Sequence, residues 1–140
     1  VAYDFRALAS GQSLGSAQDV VFAYGMKTLC PFSPAQVTGA RVSGTGSDLV
    51  LTWVRRARLN AEWVDYIDVP LDEPEELYEA DIMNGSAVVR VFTGLTAPTV
   101  TYTAAQQTID WGASIPATFT VNIYQISSRY GNGAAAVAVI

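Results

Sequence analysis

The sequence predicts an all-β protein whose main part is a seven-stranded sandwich with a β-hairpin in front of it. Three observations support this prediction: helical periodicity is weak throughout, short runs of β-branched and aromatic residues recur, and turn-forming residues separate the runs. Half of the 140 residues are hydrophobic and only 15% are charged, which is below the roughly 25% usual in soluble domains. This apolar content is sufficient for a packed core.

The hairpin is predicted within residues 1–30. Alternating runs at Val1–Phe5 and Val20–Tyr24 flank a stretch rich in Gly and Ser, as in two strands joined by a loop. The next segment, residues 31–35, contains two prolines, which fix φ and favour extended backbone in the residues before them. We expect this segment to be a semi-rigid linker and residues 36–140 to form the sandwich.

Alternation and turn signals locate the strands of the sandwich. The second strand carries apolar residues on both faces at its start, which is typical of a central strand. Asn84-Gly85 lies between two alternating runs and predicts a two-residue type I′ hairpin, whereas Ala104–Pro116 is interpreted as a long connection. The seven strands are predicted at residues 36–42, 48–58, 77–83, 87–92, 99–103, 118–127 and 134–140.

The inward faces of these strands provide the predicted core, because residues two apart in a strand point to the same side of a sheet. The predicted core side chains are Leu49, Leu51, Trp53, Tyr78, Ile82, Tyr102, Phe119, Val121 and Ile123.

Composition excludes several kinds of chemistry. The chain has no histidine, which removes Ser-His-Asp and Cys-His catalysis and His-ligated metal sites. Its single cysteine, Cys30, allows no internal disulfide and is predicted to be an unreactive packing residue. A net charge of −5 disfavours nucleic-acid binding, and the longest apolar run is far shorter than the ~20 residues of a membrane helix. We expect no metal, no cofactor, no membrane insertion and no catalysis.

Several features of the sandwich occur in a recognisable order. They are Pro31 with Pro34 before the first strand, Trp53 in the second, Tyr78 in the third, and Phe119–Ile123 running into the glycine loop Tyr130–Gly133. This order resembles that of fibronectin type III domains, which implies an immunoglobulin-like sandwich without a disulfide. Gln125 departs from the pattern, because the family usually has a small apolar residue there.

A closer resemblance covers nearly the whole chain. It rests on the segments Pro31–Arg41, Leu51–Arg58, Val69–Tyr78 and Thr101–Gly112. The last three contain a Trp-x-Arg-Arg-x-Arg stretch, a Val-Pro-Leu-x-Glu segment and a Tyr-Thr-Ala-Ala-Gln-Gln stretch. The chain is similar in these segments to the C-terminal part of the large tail-tip proteins, the host-specificity or baseplate hub proteins, of gene transfer agents and related long-tailed phages.

The resemblance implies a noncatalytic virion structural domain at the distal end of a tail, acting as a spacer and contributing to host-surface attachment. Residues 1–30 would be the terminal strands of a preceding β domain, and the absence of a methionine before Val1 suggests a piece of a longer protein. The implied partners are other tail-tip or baseplate proteins, further copies of the same chain, and a host cell-surface glycan or protein. The resemblance also implies synthesis in the bacterial cytoplasm before assembly into the particle.

Nine of the 13 acidic residues lie within residues 62–81. This run lacks the Asp-x-Asp-x-Asp-Gly spacing of a calcium loop and is interrupted by prolines. We interpret it as a solvated loop that pairs with the arginines before it, with a partner-docking face as an alternative. A glycosidase that uses two of these carboxylates is a third interpretation, and it predicts turnover that is lost when Glu73 or Glu76 is changed.

Five residues are candidates for contact with a partner or a glycan. Arg55, Arg56 and Arg58, at the end of the second strand, could hold carboxylates through paired hydrogen bonds or could simply neutralise the acidic run. Trp63 and Trp111 lie in polar connections beside carboxylates, a pattern that suits stacking on a sugar ring but also suits a buried loop anchor. The alternative function is therefore a carbohydrate-binding module attached to a polysaccharide-acting enzyme.

Overall fold

The structure, a computed structural model, describes residues 2–23, 25–42, 47–59, 62, 67 and 70–140. These residues form ten strands and one α-helix. In chain order the elements are β1 Ala2–Arg6, β2 Asp19–Ala23, β3 Ala35–Arg41, β4 Leu49–Val54, β5 Tyr78–Asn84, β6 Ala87–Leu95, β7 Thr99–Tyr102, α1 Ala104–Trp111, β8 Thr120–Ser127, β9 Gly131–Asn132 and β10 Ala136–Val139.

Strands β1 and β2 pair as an antiparallel hairpin, as predicted. The register places Tyr3 opposite Phe22 and Phe5 opposite Val20, so these four side chains share one face. All four are more than half exposed. The aromatic rings contact one another, and the Phe5 and Phe22 centroids lie 6.2 Å apart in an edge-on arrangement. The hairpin thus carries an apolar face that nothing in the described residues covers.

The remaining strands form two antiparallel sheets. One has the order β3-β4-β7 and the other the order β10-β8-β5-β6, with the short β9 also paired to β8. Strand β4 is central in its sheet, as its two apolar faces predicted. Seven strands arranged in this way around a shared core make an immunoglobulin-like, fibronectin type III-like sandwich, which confirms the predicted fold class.

The core lies between the two sheets and is built by alternation along β4, β5 and β8. All nine side chains named as core from the sequence are buried, and Ala80 joins them. Trp53 of one sheet and Tyr78 of the other meet edge to face with ring centroids 5.3 Å apart. Gln125 is also buried, and β8 continues past it to Ser127.

The connection after β7 contains a helix that the sequence interpretation missed. Thr103 caps α1 by accepting a hydrogen bond from the Gln106 backbone N–H at 3.2 Å, and the Gln106 side chain accepts one from the Thr103 N–H at 3.0 Å. This reciprocal arrangement is a capping box, and its Thr-x-x-Gln pattern is visible in the sequence.

The turn between β5 and β6 lies one residue later than predicted. Asn84 pairs with Ala87, so Gly85 and Ser86 form the turn. Of these two, only Gly85 has a positive φ, +61°. The prediction of a type I′ turn at Asn84-Gly85 was wrong, because that turn needs positive φ at both central residues.

Candidate functional site

The three candidate arginines follow β4 instead of alternating along its end. The strand stops at Val54, and the chain from Arg55 onward has no regular structure up to the first gap in the described residues. Each arginine contacts a different group, so the structure does not gather them into one binding site.

Arg58 is bonded on two sides. Its Nη2 lies 3.1 Å from Oε1 of Glu73, and its Nη1 donates to the backbone carbonyl of Thr28 at 2.9 Å. The Arg58 and Glu73 side chains are only 12% and 6% exposed. The bond to Thr28 ties the segment before the sandwich to the loop that follows β4. Both partners of the buried pair are needed because either one alone would be an uncompensated charge.

Asp72 organises the same loop through the backbone. Its Oδ2 accepts hydrogen bonds from the backbone N–H groups of both Arg58 and Leu59. Carboxylates that accept backbone hydrogen bonds in this way satisfy donors that have no partner in a sheet or helix. Asp72 therefore has a structural role in this arrangement.

Arg55 and Arg56 make two different kinds of contact. Arg55 Nη1 lies 3.3 Å from Oε2 of Glu76, whose other oxygen accepts a hydrogen bond from the Tyr78 hydroxyl at 2.7 Å. Burial, and next the bond to Glu76, raise the pKa of Tyr78 well above its ordinary value. The Arg56 guanidinium lies over the Phe32 ring, 5.1 Å from its centroid, in a cation–π contact.

The rest of the acidic run does not form a metal centre in the part of the chain that the structure describes. Within those ranges, no three carboxylates or thiols lie close enough to hold an ion. Glu79 accepts a hydrogen bond from Asn132 Nδ2 at 2.6 Å. Trp63, Asp65 and Asp68 lie outside the described residues. Among the described elements, no helix combines the length and apolar character needed to cross a membrane.

Trp111 ends α1 and is packed against the core. Its indole N–H donates to the Tyr102 hydroxyl at 2.9 Å, and its ring lies 5.6 Å from the Phe119 ring in a tilted arrangement. An indole with its polar edge bonded and its ring stacked internally acts as an anchor for the helix.

A polar network that the sequence interpretation missed surrounds this anchor. Asp110 accepts hydrogen bonds from Arg90 at 2.5 and 2.8 Å and from the Tyr102 hydroxyl at 2.7 Å. The bonds from Arg90 are the main reason that the pKa of Asp110 is lowered, whereas burial and the bond to Asp110 raise the pKa of Tyr102 to about 12. No motif signals this network, because Arg90 and Asp110 belong to different elements.

Residues 28–34 lie against one end of the sandwich. Pro31 and Pro34 are buried, and the Pro31 carbonyl accepts a hydrogen bond from the Ala134 N–H at 3.0 Å. Gly133 sits so close that a Cβ added there would lie 2.7 Å from the Pro31 side chain. The segment predicted as a linker is thus attached to the sandwich, beside the half-buried Cys30.

A cleft of about 300 Å³ opens at this end, between Leu29, Pro74 and Arg129. Its polar walls are largely engaged. Besides the Arg58 pair and Asp72, Ser127 Oγ accepts hydrogen bonds from the N–H groups of Arg129 and Tyr130 at 3.2 Å. None of the described residues that line the cleft has a buried side-chain N or O atom without a hydrogen-bond partner, so the buried polar groups that would orient a substrate are already engaged.

Comparison with known proteins gives structural neighbours only. No protein-family model matches the chain, and no curated protein sequence matches it. One solved structure, described as a myokine structure, aligns over 79% of this chain and 95% of its own, with 15% identity and a TM-score of 0.46. The crystal structure of the FN5 domain of Drosophila Lar aligns over 78% of this chain and 95% of its own, with 15% identity and a TM-score of 0.40.

Proposed function

We propose that the chain is a noncatalytic structural domain at the distal end of a phage-like tail, where it acts as a spacer and contributes to host-surface attachment. The resemblance of its Trp-x-Arg-Arg-x-Arg, Val-Pro-Leu-x-Glu and Tyr-Thr-Ala-Ala-Gln-Gln segments to tail-tip proteins supports this location. The expected partners are other tail-tip or baseplate proteins and further copies of this chain.

The observation that carries the spacer role is the attachment of residues 28–34 to the sandwich. The bond from Ala134 to the Pro31 carbonyl and the bond from Arg58 to the Thr28 carbonyl hold this segment at two points. The second strand of the hairpin ends at Ala23, shortly before Thr28. A short connection that is fixed at its far end restricts the movement of the hairpin relative to the sandwich, whereas a free linker behaves as a flexible coil.

The exposed apolar face of the hairpin fits this role. A two-stranded hairpin is at best marginally stable alone, and a further sheet or helix on its apolar face supplies the missing burial. We propose that the hairpin completes a neighbouring β domain of the tail-tip protein. The sandwich would then be held at a fixed position relative to that domain.

The charged groups favour a structural over a catalytic role. Glu73 and Glu76, the two carboxylates considered for hydrolysis, are each paired with an arginine. A general acid or base needs a proton that it can exchange with a substrate. The interior packing of Trp111 likewise favours a helix anchor over a sugar-stacking platform. Contact with the host surface would rely on repetition of weak sites over several copies, because linked weak sites gain avidity.

The location is tested by labelling particles. An epitope tag inserted at the exposed Gly85-Ser86 turn should leave the fold intact, because tight surface turns tolerate insertions. Immunogold electron microscopy of purified particles should then place the label at the distal tail end, with the untagged parent strain as control. Particles without label, together with tagged protein bound to polysaccharide in the medium, would contradict the proposal and favour a carbohydrate-binding module.

A further inference from the structure

Asp81 lies near the centre of the outer face of the larger sheet, which contains β10, β8, β5 and β6. On β5 it alternates with Ala80 and Ile82, which are core residues, so its side chain is on the side away from the core. Its cross-strand neighbours are Asn122 on β8 and Val91 on β6. Although this face of the sheet is open, Asp81 is only 8% exposed.

The Asp81 carboxylate has no hydrogen-bond donor within the described residues. Its Oδ1 is fully shielded and without a partner. Burial, and next the charge of Glu79, raise its pKa above the ordinary value of 3.8. A buried carboxylate without a donor destabilises the domain. Unsatisfied buried groups of this kind are rare in folded proteins, and a donor from another molecule, ordered water included, is one explanation for such a group.

The surface around Asp81 is apolar at its edges. Val88 and Val91 of β6 are each 49% exposed, and Val137 and Val139 of β10 are each 68% exposed. Val137 lies opposite Asn122, which is itself opposite Asp81, so these positions form one row across the sheet. The face therefore combines a shielded negative charge with exposed aliphatic flanks.

Charge decides which partner fits. The positions of β5, β8 and β10 that share this face include no lysine or arginine. The one arginine of β6, Arg90, is bonded to Asp110. A two-fold contact of this face with a second copy would place two Asp81 carboxylates in one interface without a lysine or arginine from this face to pair with them, and like charges in one interface repel each other. A partner with a cation is the complementary case.

We propose that this face, defined by Asp81, Val91, Asn122 and Val137, docks a protein partner that places an arginine or lysine side chain, flanked by apolar residues, on the Asp81 carboxylate. The cation would bind Oδ2, the carboxylate oxygen that is not fully shielded, and offset the desolvation cost of the carboxylate, and the flanking side chains would cover the valines. Glu79 differs from Asp81 because Asn132 already donates to it. Binding of a cationic partner to this face does not depend on the proposed location of the chain in a tail.

A peptide pair tests the chemistry directly with the full 140-residue chain. The probe is acetyl-Thr-Val-Arg-Val-Thr-amide, and the matched control replaces its arginine with citrulline, which has nearly the same shape and no charge. Addition of the arginine peptide should shift the NMR signals of the Asn122 side-chain amide and the Val91 and Val137 methyl groups. The citrulline peptide should bind about tenfold more weakly, since a hydrogen bond to a charged group is lost.

Two variants separate a docking role from a structural one. Asp81→Asn should reduce affinity for the arginine peptide about tenfold without lowering the Tm, whereas Glu79→Gln should change affinity less than about threefold. Equal binding of the two peptides, shifts elsewhere on the domain, or no shifts up to the solubility limit of the arginine peptide would overturn the proposal. A fall in Tm for Asp81→Asn would also overturn it, because that result would mean that the carboxylate has an internal partner.

Discussion

Two aspartates with opposite environments show how single residues act in this domain. Asp110 is surrounded by donors from Arg90 and Tyr102, and its pKa is lowered. Asp81 is shielded without a donor, and its pKa is raised. Both are acidic residues beside apolar positions in the sequence, so the sequence alone does not distinguish them. The difference comes from side chains that only the folded topology brings near.

Asp110→Asn should destabilise the domain by about 2 kcal/mol at pH 7, because it weakens charge-assisted bonds in a shielded site. A carboxyl whose pKa is lowered in the folded state stabilises the fold at pH values above its unfolded pKa, which is near 3.8. This stabilisation is lost as the pH falls through the pKa of the folded state. Urea denaturation at several pH values should therefore show the difference from the parent shrinking below about pH 4.

The matched control for this experiment is Asp81→Asn, whose effect should have the opposite sign. A carboxyl with a raised folded pKa lowers stability at neutral pH and not in acid, so this variant should gain stability at pH 7 and lose the gain as the pH falls. An Asp110→Asn penalty that stays constant down to pH 2.5 would contradict the assigned network.

The burial of single core residues could be predicted from the sequence. Leu49, Leu51 and Trp53 alternate on one face of a strand, and this local pattern is enough to place them inside. Trp111 was ambiguous, because a tryptophan in a polar connection is compatible with exposure or anchoring. Its contacts with Tyr102 and Phe119 depend on non-local packing.

Among the secondary-structure elements, the sequence predicted the strands of the sandwich but not the helix α1. Alternation over several residues identified the seven sandwich strands, although β4 ends four residues earlier than the run of apolar and basic residues suggested. Helix α1 has only eight residues, too few to show a clear period of 3.6. Its one local signal is the Thr103-x-x-Gln106 capping box, which short motif searches can detect.

Thr103→Ala should destabilise the domain by about 1 kcal/mol, because the Gln106 N–H loses its side-chain acceptor. Thr108→Ala is the matched control in the same helix, since Thr108 is exposed and alanine is a better helix former. Thermal unfolding by circular dichroism measures both variants. If Thr108→Ala costs as much as Thr103→Ala, the cap is not what stabilises the helix.

At the scale of the whole molecule, the sequence predicted two sheets but not what fastens the segment before them. Two prolines predicted extended, restricted backbone at residues 31–35. They gave no indication that the Pro31 carbonyl would bond to Ala134, near the other end of the chain. Contacts between residues so far apart depend on the completed sandwich, which brings the start of β3 and the start of β10 to the same end.

The proposed spacer role requires that residues 28–34 stay attached to the sandwich in solution, and amide hydrogen exchange at Ala134 measures this attachment. If the Pro31 carbonyl accepts this N–H in solution, the Ala134 amide should exchange within about tenfold of the slow amides of β8, and Gly133→Ala should remove that protection by pushing Pro31 away. An Ala134 amide that exchanges in the parent as fast as the exposed turn at Ser128 would mean that the segment is free, and would contradict the spacer mechanism.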